Sequence, residues 1–87
     1  MIKLTGGNGS SKEQSIIILN AKTERGGVDA EYNWFEEKFG EQNIRWELND
    51  QELIDEGDTQ YDVLRIKFSS NEIKDFWFDI SNFYGRE

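Results

Sequence analysis

The chain has 87 residues with no Cys, no His and no Pro, and a formal net charge of −8. The lack of imidazole and thiol excludes Ser-His-Asp and Cys-His nucleophile systems, HExxH zinc sites, thiolate metal centres and disulfides. Six Phe, three Trp and three Tyr supply large side chains for the core of one domain spanning residues 1–87.

No apolar run approaches the roughly 20 residues of a membrane-spanning helix. The start at Met1 lacks the charged and apolar regions of a signal peptide. The expected setting is therefore the cytoplasm, which a Cys-free composition suits. The charge is unevenly spread. Residues 1–27 carry a net +2, residues 28–62 set twelve acids against Lys38 and Arg45, and the remainder balances. Direct nucleic-acid binding and anionic membranes are disfavoured, because both need a basic face. A basic protein partner is permitted by this charge.

Met1 to Thr5 leads into the chain, with the makings of a short strand. Gly6 to Ser11 is a loop. It fits neither phosphate-binding glycine pattern, because Ser11 stands directly before Lys12 and Lys12 occupies the third glycine position of the dinucleotide motif. A Gly-Asn-Gly turn that brings backbone close to backbone is the reading retained. Ser15 to Asn20 reads as a buried strand. Lys22 to Gly27 reads as a connection.

Val28 to Gly40 reads as the one helix. Val28, Tyr32, Phe35 and Phe39 form a stripe at period 3.6, and Gly40 stands at the C-terminal cap. Asp29 and Glu31 in the first turn suit the helix dipole. Ala30 and Trp34 fall away from the stripe. Trp34 is then either covered by a loop or the N-terminal segment or exposed as an aromatic anchor for a partner.

Period two takes over after Gly40. Ile44, Trp46 and Leu48 alternate with polar residues, and Leu53-Ile54 extend the strand past a bulge around Asn49 to Gln51. Glu56 to Thr59 is a turn. Gln60 to Ser69 is a strand with Leu64, Ile66 and Phe68 on one face and Tyr61, Val63, Arg65 and Lys67 on the other. The last strand runs from Ile73 to Ile80, with Phe76, Phe78 and Ile80 on one face. A loop of Ser70 to Glu72 would set Ile66 opposite Phe76 and Leu64 opposite Phe78. It would also pair Lys67 with Asp75 and Arg65 with Trp77. Ser81 to Gly85 is a terminal turn, with Phe83 or Tyr84 docked on the core and Asp79 bonded to the Ser81-Asn82 backbone. The expected fold class is α+β, in the order β-α-β-β-β: an antiparallel sheet of four strands, or five with an N-terminal one, with the helix on one face.

GGNGSSKEQSIII, Ala30-Glu31-Tyr32, Lys38-Phe39-Gly40, Tyr61-Asp62-Val63 and Phe78-Asp79-Ile80 with Phe83-Tyr84-Gly85 carry a resemblance across nearly the whole chain. It resembles a group of small uncharacterised bacterial proteins that begin GGDGSS and end near FDI-x-x-FFG. This chain departs from them at Asn8 and Tyr84. Proteins of this kind look like products of mobile gene cassettes and toxin-immunity loci. The group has no established activity, so the resemblance implies no catalytic residue.

Three readings fit the acidic cluster of Asp50, Glu52, Asp55, Glu56 and Asp58, with Asp62 nearby. It is a solvated strand end, a docking surface for a basic partner, or a Ca²⁺ site. Leu53-Ile54 interrupt the ligands of the last, and the EF-hand spacing is missing. Carboxylate-pair hydrolysis needs an acid of raised pKa inside a cleft, for which one helix on one sheet leaves little room. Tyr61, Arg65 and Trp77 have the composition of an interface hot spot. The expectation is a non-enzymatic protein-binding module without cofactor or metal, an inhibitor or immunity factor. It would act through Trp34, Asp50, Glu52, Asp55, Glu56, Asp58, Tyr61, Arg65 and Trp77. The alternatives are a homodimer formed through the outer sheet face and a small-ligand carrier or enzyme.

Overall fold

The computed structural model describes residues 1–85. Its elements are β1 (Lys3–Gly6), β2 (Ile16–Leu19), α1 (Glu24–Phe39), β3 (Trp46–Asp55), β4 (Gln60–Phe68) and β5 (Ile73–Asp79). One five-stranded sheet has the order β1-β2-β5-β4-β3, and α1 covers one face. The class is α+β, as the patterning requires. The sheet is mixed rather than purely antiparallel. β2 lies parallel to β5, with Ile16 opposite Phe78, while the β1–β2, β3–β4 and β4–β5 pairs are antiparallel. The β2–α1–β3 crossover therefore leaves a gap in the sheet, and the β4–β5 hairpin fills it. Ile16 and Ile18 of β2 are fully buried as a result.

Alternation places Leu64 and Ile66 of β4 and Phe76 and Phe78 of β5 on the helix side, where all four are buried. The β4–β5 register differs from the expected one by two residues. Leu64 faces Phe76, Arg65 faces Asp75 and Ile66 faces Lys74. The loop is Ser69 to Asn71, closed by the Phe68 N–H donating to the Glu72 carbonyl at 2.8 Å. Asn71, at φ 73°, supplies the left-handed residue that such a loop needs at its third position. A two-residue slip keeps every side chain on its own face, so the apolar pattern alone does not discriminate between the registers. The pairings expected of Lys67 with Asp75 and Arg65 with Trp77 are accordingly replaced. The bulge falls between Leu48 and Asp50, where it was expected. β3 itself starts at Trp46, and Ile44 before it is 63% exposed.

The helix begins four residues earlier than its apolar pattern suggests. Thr23 caps it, its hydroxyl accepting from the Gly26 N–H at 3.1 Å. Gly26 and Gly27 thus lie in the first turn rather than in a connection. Gly27 is required there: a Cβ would stand 2.3 Å from the Phe83 ring, which packs against the bare backbone. Gly40 ends the helix with φ 99°, as expected of the cap.

The buried face of α1 is turned away from the Val28–Phe39 stripe. Gly27, Ala30, Glu31 and Phe35 are buried, with Trp34 packed on one flank and Tyr32 and Phe39 on the other. Val28 lies on the surface. At about 100° per residue, these positions form one wide arc with Glu31 near its centre. Phe35 anchors the helix. Its ring centroid is 5.0 Å from Trp46, 5.2 Å from Phe76 and 5.6 Å from Phe78. Trp46 completes the floor, its indole N–H donating to the Gly40 carbonyl at 2.8 Å. After β5, Asp79 Oδ1 accepts from the Ser81 backbone N–H (3.0 Å) and hydroxyl (2.7 Å), and Phe83 is buried.

Candidate functional site

The residues expected to bind a partner divide into three groups. Asp50, Glu52, Tyr61, Arg65 and Trp77 meet on the outer face of β3–β5. Cross-strand pairing brings Asp50 beside Arg65 and Glu52 beside Val63, and Arg65 beside Asp75 and Val63 beside Trp77. Arg65 Nε donates to Asp75 Oδ1 at 2.9 Å, and its Nη1 is 3.8 Å from Asp50 Oδ2. These bonds hold the guanidinium above its already high pKa, Asp75 contributing most. The Trp77 ring takes Tyr61 as its edge-on neighbour at 5.7 Å. A shallow depression of about 120 Å³ runs between Asp50, Glu52, Ile54, Val63, Arg65 and Trp77.

Asp55, Glu56 and Asp58 belong to the β3–β4 turn. Asp55 Oδ1 accepts from the Gly57 N–H at 2.9 Å and the Gln60 amide at 3.1 Å. These bonds, the Gly57 one first, hold its carboxyl below the usual range. Glu56 pairs with Lys12 at 2.7 Å, tying the glycine-rich loop to the turn. Two of the three acids thus shape the turn. Among the described residues, Asp58 makes no ion pair.

Trp34 lies on the opposite side of the sheet and does not join the patch. Its ring packs on Phe76 and Phe78 at 5.7 and 5.8 Å. With Phe39, Phe68 and Phe76 it lines an open aromatic cleft of about 590 Å³, where Lys38 Nζ stands 5.8 Å from the indole.

The least expected feature is a pair of acids in the interior. Glu31 is fully buried and Asp62 is 5% exposed. Burial drives the Glu31 carboxyl up to about 10, and the neighbouring Asp62 adds to the shift. Glu31 thus keeps its proton at neutral pH. Asp62 accepts from the Gln51 amide, at 2.9 and 3.1 Å to its two oxygens. Among the described residues, neither Glu31 oxygen has a hydrogen-bond partner. Burial, then Glu31 and Asp62, also raise the nearby Tyr32 phenol. Periodicity carried a signal for both acids. Glu31 bisects the apolar arc of α1, and Asp62 has the parity of Leu64 and Ile66. Its place in an acidic run hid the second, and its fitness for a helix N-terminus hid the first.

The pair is an acid of raised pKa, the group that carboxylate hydrolysis needs. Glu31, however, has no exposed surface with which to reach a substrate. Among the described residues, no group of three or more acids is placed to hold a metal ion, and no helix is long and apolar enough to cross a membrane. No protein-family model, curated protein or solved structure matches the chain.

Proposed function

We propose that this protein is a non-enzymatic binding module that docks a basic protein on the outer face of β3–β5, in the manner of an inhibitor or immunity factor. The observation that carries the reading is the convergence of the Tyr61–Trp77 pair with Asp50, Glu52 and Asp75 on one sheet face. Large aromatics with an arginine supply contact area, and the surrounding carboxylates steer a cationic partner and fix its register. The net charge of −8 acts in the same direction at long range. The resemblance to small proteins of toxin-immunity loci and a cytoplasmic setting fit this reading. Trp34 is left out of the docking surface, and Asp55 and Glu56 serve the turn.

The test is affinity capture from host lysate at low salt, followed by a high-salt wash and mass spectrometry of the eluate. The wild-type chain should retain a basic protein that salt releases. A D50K/E52K variant of unchanged melting temperature should not retain it. Equal capture by both chains, or recovery of the bait alone, overturns the reading. Light scattering at high concentration then reports on the homodimer.

A further inference from the structure

On the helix side of the sheet, opposite the docking face, Trp34, Phe39, Phe68 and Phe76 wall an open cleft of about 590 Å³. That volume lies inside the range of small-molecule sites, about 300–1,000 Å³. The wall is continuous. The Phe39 ring centroid is 4.9 Å from that of Phe68, 5.7 Å from Phe76 and 5.9 Å from Trp34. Phe76 is buried, whereas Trp34, Phe39 and Phe68 are half-buried. Packing of α1 on β4 and β5 thus leaves aromatic surface uncovered at this place.

The charges at this cleft run against the rest of the molecule. The chain carries −8 overall, yet two ammonium groups stand here, Lys38 from α1 and Lys74 from β5. Among the described residues Lys38 makes no ion pair, and its Nζ is 5.8 Å from the Trp34 ring. Lys74 pairs with Glu72 at 3.8 Å, both side chains more than half exposed, an arrangement worth little in water. The one acid on the lining, Asp75, is engaged on the outer face, where its Oδ1 accepts from Arg65 Nε at 2.9 Å. Asn8 Oδ1 accepts from the Ser10 N–H at 3.0 Å, which leaves the Asn8 amide nitrogen and the Ser10 hydroxyl to donate. The cleft therefore presents cations and donors beside a flat apolar wall. An ammonium group, a compact charge with three donors, suits a carboxylate, and a ring suits the wall. A cationic ligand would meet two like charges.

We propose that the cleft between α1, the β4–β5 hairpin and the glycine-rich loop binds a small aromatic carboxylate. Its ring lies against Trp34, Phe39, Phe68 and Phe76 and its carboxylate on Lys38, with Lys74 adding positive charge from β5. The cleft shares no aromatic side chain with the outer face of β3–β5, so this site stands or falls independently of the docking of a basic protein.

Isothermal titration calorimetry at pH 7 with 2-naphthoate, 2-naphthalenemethanol and 2-naphthylmethylamine tests this, since the three share a ring system and carry negative, zero and positive charge. The net charge of −8 by itself favours the amine. The cleft should reverse that order, with naphthoate at least about threefold tighter than the alcohol and the amine weakest. Lys38→Gln, at an exposed position, should lower the preference for naphthoate over the alcohol, and Lys74→Gln should lower it to a smaller extent. Melting curves establish that each variant is folded. In two-dimensional ¹H–¹⁵N spectra, naphthoate should move the indole N–H signal of Trp34, assigned by its loss in Trp34→Phe, and leave that of Trp77 in place. Absence of naphthoate binding, equal or tighter binding of the alcohol or the amine, an unchanged preference in folded Lys38→Gln, or a shift at Trp77 instead of Trp34 overturns the proposal.

Discussion

Replacing Glu31 by glutamine isolates the energetic consequence of the buried proton. The Glu31 carboxyl has a pKa of about 10 in the folded chain against 4.5 when solvated. Between those values the folded state holds one proton more than the unfolded state. Stability contributed by the group is therefore fully present below pH 4.5 and falls as pH rises, at about 1.4 kcal/mol per pH unit. From pH 5 to pH 8 the loss from this residue alone is about 4 kcal/mol, comparable to the whole stability of a small domain, about 5–15 kcal/mol. Relief of charge repulsion on acidification acts in the same direction. The lowered Asp55 carboxyl acts oppositely, but only as pH falls below the ordinary carboxylate range. The wild-type chain should thus be most stable near pH 5 and weaken steadily towards pH 8. Glu31→Gln keeps the side-chain shape and cannot ionise. Its stability should vary much less over this range and exceed that of the wild type at pH 8. Urea denaturation followed by tryptophan fluorescence, at pH 5, 6, 7 and 8, measures both slopes. A wild-type curve that is flat or rising, or a Glu31→Gln curve with the same slope, refutes the reasoning.

Two further predictions concern packing. Phe35→Ala removes the ring that joins α1 to Trp46, Phe76 and Phe78. It should cost about 3–5 kcal/mol, read as the loss in urea unfolding free energy at pH 5. Gly27→Ala places a methyl group on the Phe83 ring and should destabilise by about 1–3 kcal/mol through overpacking, despite the better helix propensity of alanine. The same substitution at Gly26, where a Cβ meets its nearest neighbour at 3.4 Å, should be much milder, and comparison of the two melting temperatures checks the contrast.

Local sequence alone determined the existence of strands β2 to β5, the face on which the apolar side chains of β4 and β5 lie, the bulge near Asn49 and the helix end at Gly40. Each of these follows from a short-range cause: the two-residue alternation of a strand, or the backbone freedom of one glycine. Tertiary structure decided the rest. The β4–β5 slip preserves every face, so only the Asn71 loop geometry and the Arg65–Asp75 pair select the register. The place of β2 beside β5 depends on a crossover whose path local pattern does not encode. The rotation of α1 depends on how Gly27 admits Phe83 and how Trp34 seats on β5, contacts between residues far apart in the chain. That rotation is what buries Glu31 against Asp62. Sequence places the two acids in separate contexts, a helix start and an acidic run. Only their meeting in an interior of low dielectric turns the ordinary Glu31 carboxyl into one that holds its proton at neutral pH.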